Sequence, residues 1–344
     1  MTLPILDIGD LEAGGAKRTA FLGRLREASR EFGFFYLAGH GIAPEFMRDV
    51  EVLARRFFVL PDAEKRAIEM INSPQFRGYT RLGRERTRGR PDWREQLDVG
   101  AERAVIPIGP DVPSWARLQG PNQWPASLPA LRPALLRWQA ELTALLIRVL
   151  RAFALSLEQP EDAFEPLYRE APNQLVKIIR YPGRAFDADA QGVGAHKDSG
   201  IVTAVLQDEH GGLQVETDDG WLDVEPIAGT LVVNMGEALE LASDGYLRAT
   251  MHRVVPPPPG SERLSIAFFL GARLDATIPL LRLPPHLAAE AKGPERDPNN
   301  PLFRQVGQNY LKGRLRSHPD VARRHHADLL EEFGIDPTEP ASAY

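Results

Sequence analysis

The sequence contains no cysteine in 344 residues. Disulfide scaffolds, zinc–thiolate sites, iron–sulfur clusters and thiol nucleophiles are therefore all excluded. Any metal that this chain binds must use histidine, aspartate or glutamate as its ligands. The chain has 8 histidines, few enough to inspect one by one.

An excess of positive charge is also lacking. The 41 Lys and Arg residues are outnumbered by 47 Asp and Glu residues, and the formal net charge is -6. Because a nucleic-acid-binding surface is normally basic, we expect no nucleic-acid partner and predict a small-molecule substrate. With 43% hydrophobic and 26% charged residues, the composition is that of a globular protein with a sizeable core.

No stretch of the sequence is apolar enough to predict a membrane span. The longest apolar-rich stretch, residues 135–157, is interrupted by charged residues such as Arg137, Glu141 and Arg151. The start, "MTLPILDIGDLEAGG", has no basic segment followed by an apolar core, so it does not predict a secretory signal. We therefore expect a cytoplasmic protein that does not bind membranes, and the oligomeric state stays open.

Apolar periodicity divides the chain into four parts. Residues 1–110 are predicted to be a mixed α/β region that packs on the core, with helices near 17–32 and 44–58 and an aromatic strand between them. Residues 111–172 are predicted to be helical, with Trp138 in the buried stripe of a long helix, and residues 276–344 to form a C-terminal helical extension. We expect the four parts to form one compact catalytic unit.

The remaining part, residues 173–275, consists of short apolar runs separated by turns: "QLVKIIRYP", "IVTAVLQD", "LQVET", "WLDVEP", "TLVVNMG", "TMHRVVPP" and "RLSIAFFL". Several strands at such close spacing predict a β-sandwich or barrel-like core. Asp218 and Asp219, followed by Gly220, predict a hairpin turn because glycine readily adopts a positive φ.

A histidine and an aspartate stand at the head of one of these strands, in "AHKDSGIVTAV". Residues at i and i+2 of a strand point to the same side, so His196 and Asp198 can direct an imidazole and a carboxylate to one point. His252 lies in "TMHRVV", a later strand of the same region. Two histidines and one carboxylate leave three metal positions open, a pattern typical of non-haem Fe(II) and oxygen chemistry.

Arg263 and Ser265 obey the same i, i+2 rule in "ERLSIAFF", which we expect to be a neighbouring strand. An arginine in an apolar strand requires an anionic partner, and its planar fork fits a carboxylate in two-point contact. The alternative is an internal bridge to an aspartate or glutamate.

The motifs "AHKD", "MHRV" and "RLS", in this order, resemble the Fe(II)- and 2-oxoglutarate-dependent oxygenases of the isopenicillin N synthase-like family. The segments "LPILDIGDL", "EFGFFYLAGHGI" and "IIRYPG" extend the resemblance over roughly residues 3–270. It implies a fold that is mainly β with surrounding helices, a double-stranded β-helix (jelly roll). It also implies that His196, Asp198 and His252 hold Fe(II).

The same resemblance implies 2-oxoglutarate and O2 as cosubstrates. Arg263, Ser265 and the hydroxyl of Tyr181 would bind the distal carboxylate of 2-oxoglutarate. The implied reaction is hydroxylation, desaturation or ring closure of a small organic substrate, with release of succinate and carbon dioxide. The substrate itself cannot be named from the sequence.

One position departs from the family pattern. Plant members usually carry Asn two positions before the Tyr-Pro pair, where this chain has Ile179, so one polar contact to the cosubstrate is missing or replaced. Isopenicillin N synthase has the Arg-x-Ser pair without using 2-oxoglutarate, which keeps a cosubstrate-independent oxidase as an alternative. Its glutamine near the carboxyl end has no match in "GIDPTEPASAY", which favours 2-oxoglutarate use. A second alternative is a jelly-roll protein that binds a metal or ligand without turnover.

Substrate contacts are predicted by resemblance in "FRGYTRLGRE" and "DWREQLDVG", which make Arg77, Tyr79, Arg81 and Glu95 candidates for orienting the substrate. Solvated loop charges are the alternative for each. Strand alternation predicts that Lys197 faces away from the metal.

The other histidines are assigned to structural roles. We predict a surface turn at Asp208, Glu209 and His210, whose side chains should diverge because they are adjacent in sequence. His325 and His326 are assigned to the polar face of a terminal helix, and His40 to a turn.

Overall fold

The computed structural model describes residues 2–185, 191–295 and 300–335. Its strands, in chain order, are β1 Ile5–Asp7, β2 Phe34–Ala38, β3 Gly78–Thr80, β4 Arg86–Thr87, β5 Arg90–Pro91, β6 Glu95–Gly100, β7 Asn173–Pro182, β8 Val193–His196, β9 Val202–Gln207, β10 Leu213–Thr217, β11 Gly220–Asp223, β12 Leu231–Met235, β13 His252–Val254 and β14 Glu262–Gly271.

The helices of the described ranges surround these strands. They are α1 Gly9–Glu12, α2 Gly15–Glu31, α3 Pro44–Phe58, α4 Asp62–Ala67, α5 Leu131–Ser156, α6 Glu165–Tyr168, α7 Glu237–Ala242, α8 Pro285–Ala288, α9 Val306–Ser317 and α10 Pro319–His325. Short 3-10 turns lie at Met70–Asn72, Ser114–Leu118 and Ala327–Leu329. Within the described ranges, none of the helices combines the length and the apolar character needed to cross a membrane.

Two sheets form the core. The larger has 8 strands in the order β1-β2-β12-β9-β14-β7-β6-β3, and the smaller has 4 strands in the order β11-β10-β13-β8. Apolar side chains from both sheets meet in one cluster, for example Tyr36 and Val232 from the larger sheet with Val215 and Val254 from the smaller. This packing of two sheets with helices outside confirms the predicted jelly-roll fold.

The β10–β11 hairpin has the predicted turn. Thr217 pairs with Gly220 across Asp218 and Asp219, and Gly220 adopts φ 111°. Only glycine takes this backbone conformation without strain, so the turn fixes the register of the hairpin.

Alternation along β2 explains how the helices attach. Phe34 and Tyr36 face the smaller sheet, whereas Phe35 and Leu37 face the opposite way, into the cluster shared with α2, α3 and α5. Trp138 of α5 is 0% exposed in that cluster, which confirms its prediction as a core residue.

The C-terminal helices α9 and α10 form a separate apolar cluster with residues of the N-terminal region. Leu311 and Leu315 of α9 and Val321 of α10 bury themselves against Phe76 and Leu118. The opposite side of α9 faces the open end of the two-sheet core, where the candidate site lies.

Candidate functional site

The two histidines of the candidate metal centre are paired across strands. His252 of β13 lies opposite His196 of β8 in the smaller sheet, and their ring centroids are 4.3 Å apart. Asp198 follows the end of β8, and its Oδ1 lies 3.8 Å from the Nε2 atom of each histidine. The structure therefore brings together the three residues that the sequence predicts as metal ligands.

Backbone carbonyl groups fix the tautomer of both rings. Nδ1 of His196 donates to the carbonyl oxygen of Gly194 at 2.8 Å, and Nδ1 of His252 donates to that of Thr250 at 3.1 Å. Because a carbonyl can only accept, each Nδ1 carries the proton and each Nε2 presents its lone pair towards Asp198.

The carboxylate of Asp198 is oriented by two further hydrogen bonds. Its Oδ2 accepts from Oγ1 of Thr203 at 2.6 Å and from Nδ2 of Asn234 at 2.8 Å, which leaves Oδ1 directed at the histidines. Burial alone would raise the pKa of Asp198, but both histidines and these hydrogen bonds lower it, and the net direction is downward. Burial, together with His252, lowers the pKa of His196 to about 3.

These three side chains suit a divalent metal. Neutral imidazoles and an ionised carboxylate are the protonation states that bind metal, and the outer hydrogen bonds hold each ligand in place. Two nitrogens and one oxygen are the donor set that suits Fe(II) with open positions.

Arg263 lies inside the two-sheet core on β14. Its side chain is 1% exposed, donates from Nη2 to Oε1 of Gln207 at 2.8 Å, and stacks 5.2 Å from the ring centroid of Tyr181. Its Nε and Nη1 groups are buried without a hydrogen-bond partner in the described ranges. Among the described residues no carboxylate is ion-paired with Arg263, so they supply no internal bridge of the kind weighed as the alternative.

A cavity of about 60 Å³ connects Arg263 to the candidate metal centre. We call it the cosubstrate cavity; Ser265, Tyr181 and Ile179 are among its lining residues. β14 is paired with β9, the strand that continues the run from His196 and Asp198, but not with β8 or β13, which lie in the smaller sheet. Arg263 faces the metal centre across the core because the two sheets pack against each other.

A second cavity of about 160 Å³ lies beyond the metal centre. We call it the substrate cavity. His196, Asp198, Arg94 and Phe269 line both cavities. The substrate cavity is also bounded by Tyr310 on α9.

Buried charges of alternating sign run along the substrate cavity. Glu85 accepts from Nη2 of Arg94 at 2.8 Å and from Nζ of Lys177 at 3.0 Å. Lys177 lies 3.4 Å from Asp98, which in turn accepts from Nη1 of Arg314 at 2.9 Å. We call these five residues the charge ladder. Three of its members, Glu85, Arg94 and Asp98, lie in the two segments that were predicted from the sequence to reach the cavity, but the predicted contacts are other residues of those segments.

The four predicted substrate contacts lie elsewhere. Arg77 donates to the carbonyl of Leu118, and Arg81 donates to Glu69. The hydroxyl of Tyr79 donates to Glu95, which also binds Lys65 and Arg180. None of the four belongs to the lining of the two cavities, so the choice of these residues is wrong, although their two segments do reach the substrate cavity through Glu85 and Arg94.

The parity of β6 explains the error at Glu95. Gln96 lies opposite Ile179 in the register with β7, so it shares the inward face, and Arg94 lies two residues earlier on that face. Glu95 points to the opposite side. Because "WREQLDVG" has charged residues at both odd and even positions, its sequence does not show which side chains face inward.

The other histidines correct the sequence predictions in part. The ligand atoms of Asp208, Glu209 and His210 converge within 4.8 Å, contrary to the expectation that they diverge. Oδ2 of Asp208 is buried and occupied by Arg55 at 3.0 Å and by a backbone amide, so this carboxylate already serves the fold.

His326 is 1% exposed and stacks on Phe76, so its assignment to a polar helix face is wrong. Nδ1 of His40 accepts from the amide of Ile42 at 3.2 Å, which confirms its turn role. Lys197 pairs with Glu240 and Glu295, away from the metal ligands.

Two family models match the chain. Residues 3–127 match the N-terminal model of the non-haem dioxygenases in morphine synthesis, and residues 172–272 match the 2OG-Fe(II) oxygenase superfamily. The chain is 38% identical to the 2-oxoglutarate-dependent dioxygenase frbJ of Dothideomycetidae sp. (strain 11243), over 94% of this chain and 91% of that protein. It is 37% identical to the homoarginine-6-hydroxylase 2-ODD-233 of Oryza sativa subsp. japonica, over 74% of this chain and 78% of that one.

Solved structures agree with the sequence relatives. A full-length Neurospora crassa protein in complex with alpha-KG superposes with a TM-score of 0.74 at 26% identity, over 90% of this chain and 94% of that one. The complex of the same Neurospora crassa protein with alpha-KG and thymine gives a TM-score of 0.72 at 25% identity, over 94% of this chain and 97% of that one. With its fold, its His-Asp-His cluster and these relatives, the chain belongs to the isopenicillin N synthase-like family of oxygenases and is an Fe(II)- and 2-oxoglutarate-dependent dioxygenase.

Proposed function

We propose that His196, Asp198 and His252 hold the Fe(II) of this dioxygenase. The observation that supports this assignment most directly is the convergence of both Nε2 atoms on Oδ1 of Asp198, at 3.8 Å each. Every other polar atom of the three side chains is already engaged by Gly194, Thr250, Thr203 or Asn234.

Arg263, Ser265 and Tyr181 bind the distal carboxylate of 2-oxoglutarate in this proposal. The Nε and Nη1 nitrogens of Arg263 are buried and lack partners among the described residues, and leaving such a donor unpaired costs about 1–3 kcal/mol or more for a charged group. A bound carboxylate that accepts from Nη1 and from the second N–H of Nη2 would have the two-point geometry that guanidinium favours. The relatives named as 2-oxoglutarate-dependent favour this reaction over the cosubstrate-independent oxidase and over a binding protein without turnover.

The chain's own part in the reaction is positional. Bound iron supplies, together with 2-oxoglutarate and O2, the oxidation of a substrate C–H bond with release of succinate and carbon dioxide. Gly194 and Thr250 hold the imidazole rings, Arg263 fixes the cosubstrate, and Phe34 packs edge-on against His252, which helps to exclude water. The four parts of the chain act as one catalytic unit: residues 1–110, 111–172, 173–275 and 276–344. The first, third and fourth parts supply lining residues to the two cavities, and the second, helical part supports them through α5.

The substrate is a small polar molecule that carries both a cationic and an anionic group. The substrate cavity offers buried charges of both signs in the charge ladder, so a zwitterion such as an amino acid can exchange partners with it without leaving a charge unpaired. Several relatives are named homoarginine-6-hydroxylases, which makes L-homoarginine the first probe. A cytoplasmic location stays a prediction from the sequence.

The test begins without oxygen. Fe(II) is added to metal-free protein, 2-oxoglutarate is titrated, and the visible charge-transfer band of the chelated cosubstrate is followed. A saturable band supports the proposed site, whereas iron binding without the band contradicts the cosubstrate contacts.

Oxygen is then admitted with L-homoarginine, thymine or no substrate, and succinate release is measured. We expect L-homoarginine to stimulate succinate release most, because it carries both cationic and anionic groups, whereas thymine carries neither. Stimulation by thymine alone would contradict the proposed substrate class and leave the metal and cosubstrate assignments standing.

A further inference from the structure

Arg94 stands where the cosubstrate cavity and the substrate cavity meet. It lines both, together with His196 and Asp198, and only 9% of it is exposed. Arg94 lies on the inward face of the chain, just before β6. Glu95, the first residue of β6, is paired with Arg180 of the adjoining antiparallel strand β7. By the same register, Arg94 lies beside Tyr181. Arg94 is neither one of the three candidate metal ligands nor a partner of Arg263.

The hydrogen bonds of Arg94 leave part of its fork free. Nη2 donates to Oε2 of Glu85 at 2.8 Å and lies 3.2 Å from Oδ2 of Asp92. Among the described residues its Nε is buried without a hydrogen-bond partner. A buried guanidinium with an unused N–H group is costly, so a partner from outside the described part of the chain is expected.

Asp92 ties this guanidinium to the metal strand. While Oδ2 of Asp92 faces Arg94, its Oδ1 accepts from the amide of Gly194 at 3.2 Å, and Gly194 also holds the ring of His196. The position of Arg94 is therefore coupled to that of a proposed iron ligand through one carboxylate.

The chemistry of 2-oxoglutarate supplies the missing partner. The molecule is a dianion with one carboxylate at each end, and only the distal one is accounted for by Arg263. The keto-acid end lies at the metal, where Ile179 lines the cavity with an apolar side chain that offers no donor. Arg94 is the arginine that the lining provides at that end.

We propose that Nε–H of Arg94 donates a hydrogen bond to the keto-acid carboxylate of bound 2-oxoglutarate, so that two arginines clamp the two ends of the cosubstrate. The inference rests on the proposed iron and cosubstrate assignments. Arg94 is a binding residue for the cosubstrate, and Glu85 and Asp92 hold it in place.

The test compares two ligands that share the keto-acid end. Dissociation constants of 2-oxoglutarate and of 2-oxopentanoate, which lacks the distal carboxylate, are measured anaerobically with Fe(II) from the charge-transfer band. The Arg94→Lys variant keeps the charge beside Glu85 and Asp92 but loses the Nε–H group. We expect it to weaken both ligands by the same factor, about tenfold, as for loss of one charge-assisted hydrogen bond.

Two control variants make the result specific. Arg77→Lys changes another buried guanidinium with an unpartnered Nε, one outside both cavities, and should leave both dissociation constants unchanged. Arg263→Lys should weaken 2-oxoglutarate and leave 2-oxopentanoate unchanged, because it acts at the distal end. Thermal unfolding of each variant establishes that the comparison is made between folded proteins.

Three results would overturn the inference. Unchanged constants for both ligands in Arg94→Lys would remove the contact, and weakening of 2-oxoglutarate alone would move Arg94 to the distal end. Unchanged constants with a raised KM for the organic substrate would assign Arg94 to the substrate instead. If the wild-type protein binds iron but shows no charge-transfer band with 2-oxoglutarate, the proposed function itself is contradicted, and the result does not bear on Arg94.

Discussion

The cosubstrate cavity and the substrate cavity treat charge in opposite ways. In the cosubstrate cavity, the Nε and Nη1 nitrogens of Arg263 have no hydrogen-bond partner in the described chain. Of the residues that line the substrate cavity, Lys177 is paired with Glu85, and both Lys177 and Arg314 are paired with Asp98. We therefore expect the first cavity to bind an anion, whereas the charges of the second already neutralise one another.

The largest expected effect is at the metal centre that both cavities share. His252→Ala removes one of three proposed ligands and should abolish iron binding and 2-oxoglutarate-dependent oxygen uptake, measured by metal content and an oxygen electrode. His210→Ala, which alters a histidine beside a different carboxylate pair, is the matched control and should retain both. If iron-dependent oxygen uptake survives in His252→Ala, the two cavities do not share the proposed metal centre.

The next effect should separate the two cavities. Arg263→Leu should raise the KM for 2-oxoglutarate about 100-fold, since a buried charged contact is worth roughly 2–5 kcal/mol, and leave the KM for the organic substrate nearly unchanged. Succinate release at varied 2-oxoglutarate checks it. Arg253→Leu removes an arginine that stacks on Trp221, outside the cavity, and should behave like the wild type. Equal losses in both variants would place Arg263 outside the cosubstrate contact.

A smaller effect should report on the support of the metal ligand. Thr203→Val keeps the shape of the side chain but removes one of two hydrogen bonds to Oδ2 of Asp198. We expect iron affinity to fall about tenfold, as for other outer hydrogen bonds of metal ligands, when measured by competition with a chelator. Thr230→Val, whose hydroxyl bonds a loop carbonyl, should leave the affinity unchanged.

The smallest effect should sharpen the contrast from the substrate side. Lys177→Met removes a cation of the charge ladder, while Glu85 stays paired with Arg94 and Asp98 with Arg314. Because the organic substrate then has one charged partner fewer, we expect its KM to rise about tenfold. The dissociation constant of 2-oxoglutarate should stay within about twofold. Lys65→Met removes a buried lysine from the separate Glu95 network and serves as the control. A parallel loss of cosubstrate affinity in Lys177→Met would mean that the cavities act as one.

Local rules gave part of the prediction, and the family resemblance gave the rest. Period-two alternation put Arg263 and Ser265 on one face of a strand, and the turn chemistry of Gly220 predicted a hairpin. The same rule paired His196 with Asp198, although Asp198 follows the end of β8. The jelly roll, 2-oxoglutarate and the proposed roles of Arg263, Ser265 and Tyr181 came from the order of motifs that resembles the family.

The substrate side was not accessible because its residues meet only through tertiary packing. Glu85 lies before β4, Lys177 on β7 and Arg314 on α9, and no spacing rule relates these positions. The errors have the same origin. Glu95 lies one residue from Arg94 on the opposite face of the chain, and His326 is buried because Phe76, far away in sequence, stacks on it.

Helix α9 has a consequence for how the protein is made. It supplies Tyr310 and Arg314 to the substrate cavity, and it follows every proposed iron ligand in the chain. The ribosome adds residues in sequence at about 5–20 per second, so the metal strands emerge seconds before the wall that closes the cavity. For that interval the nascent chain carries all three proposed iron ligands but lacks the part of the cavity wall that Tyr310 and Arg314 supply. The site is therefore complete only when α9 has been made and packed.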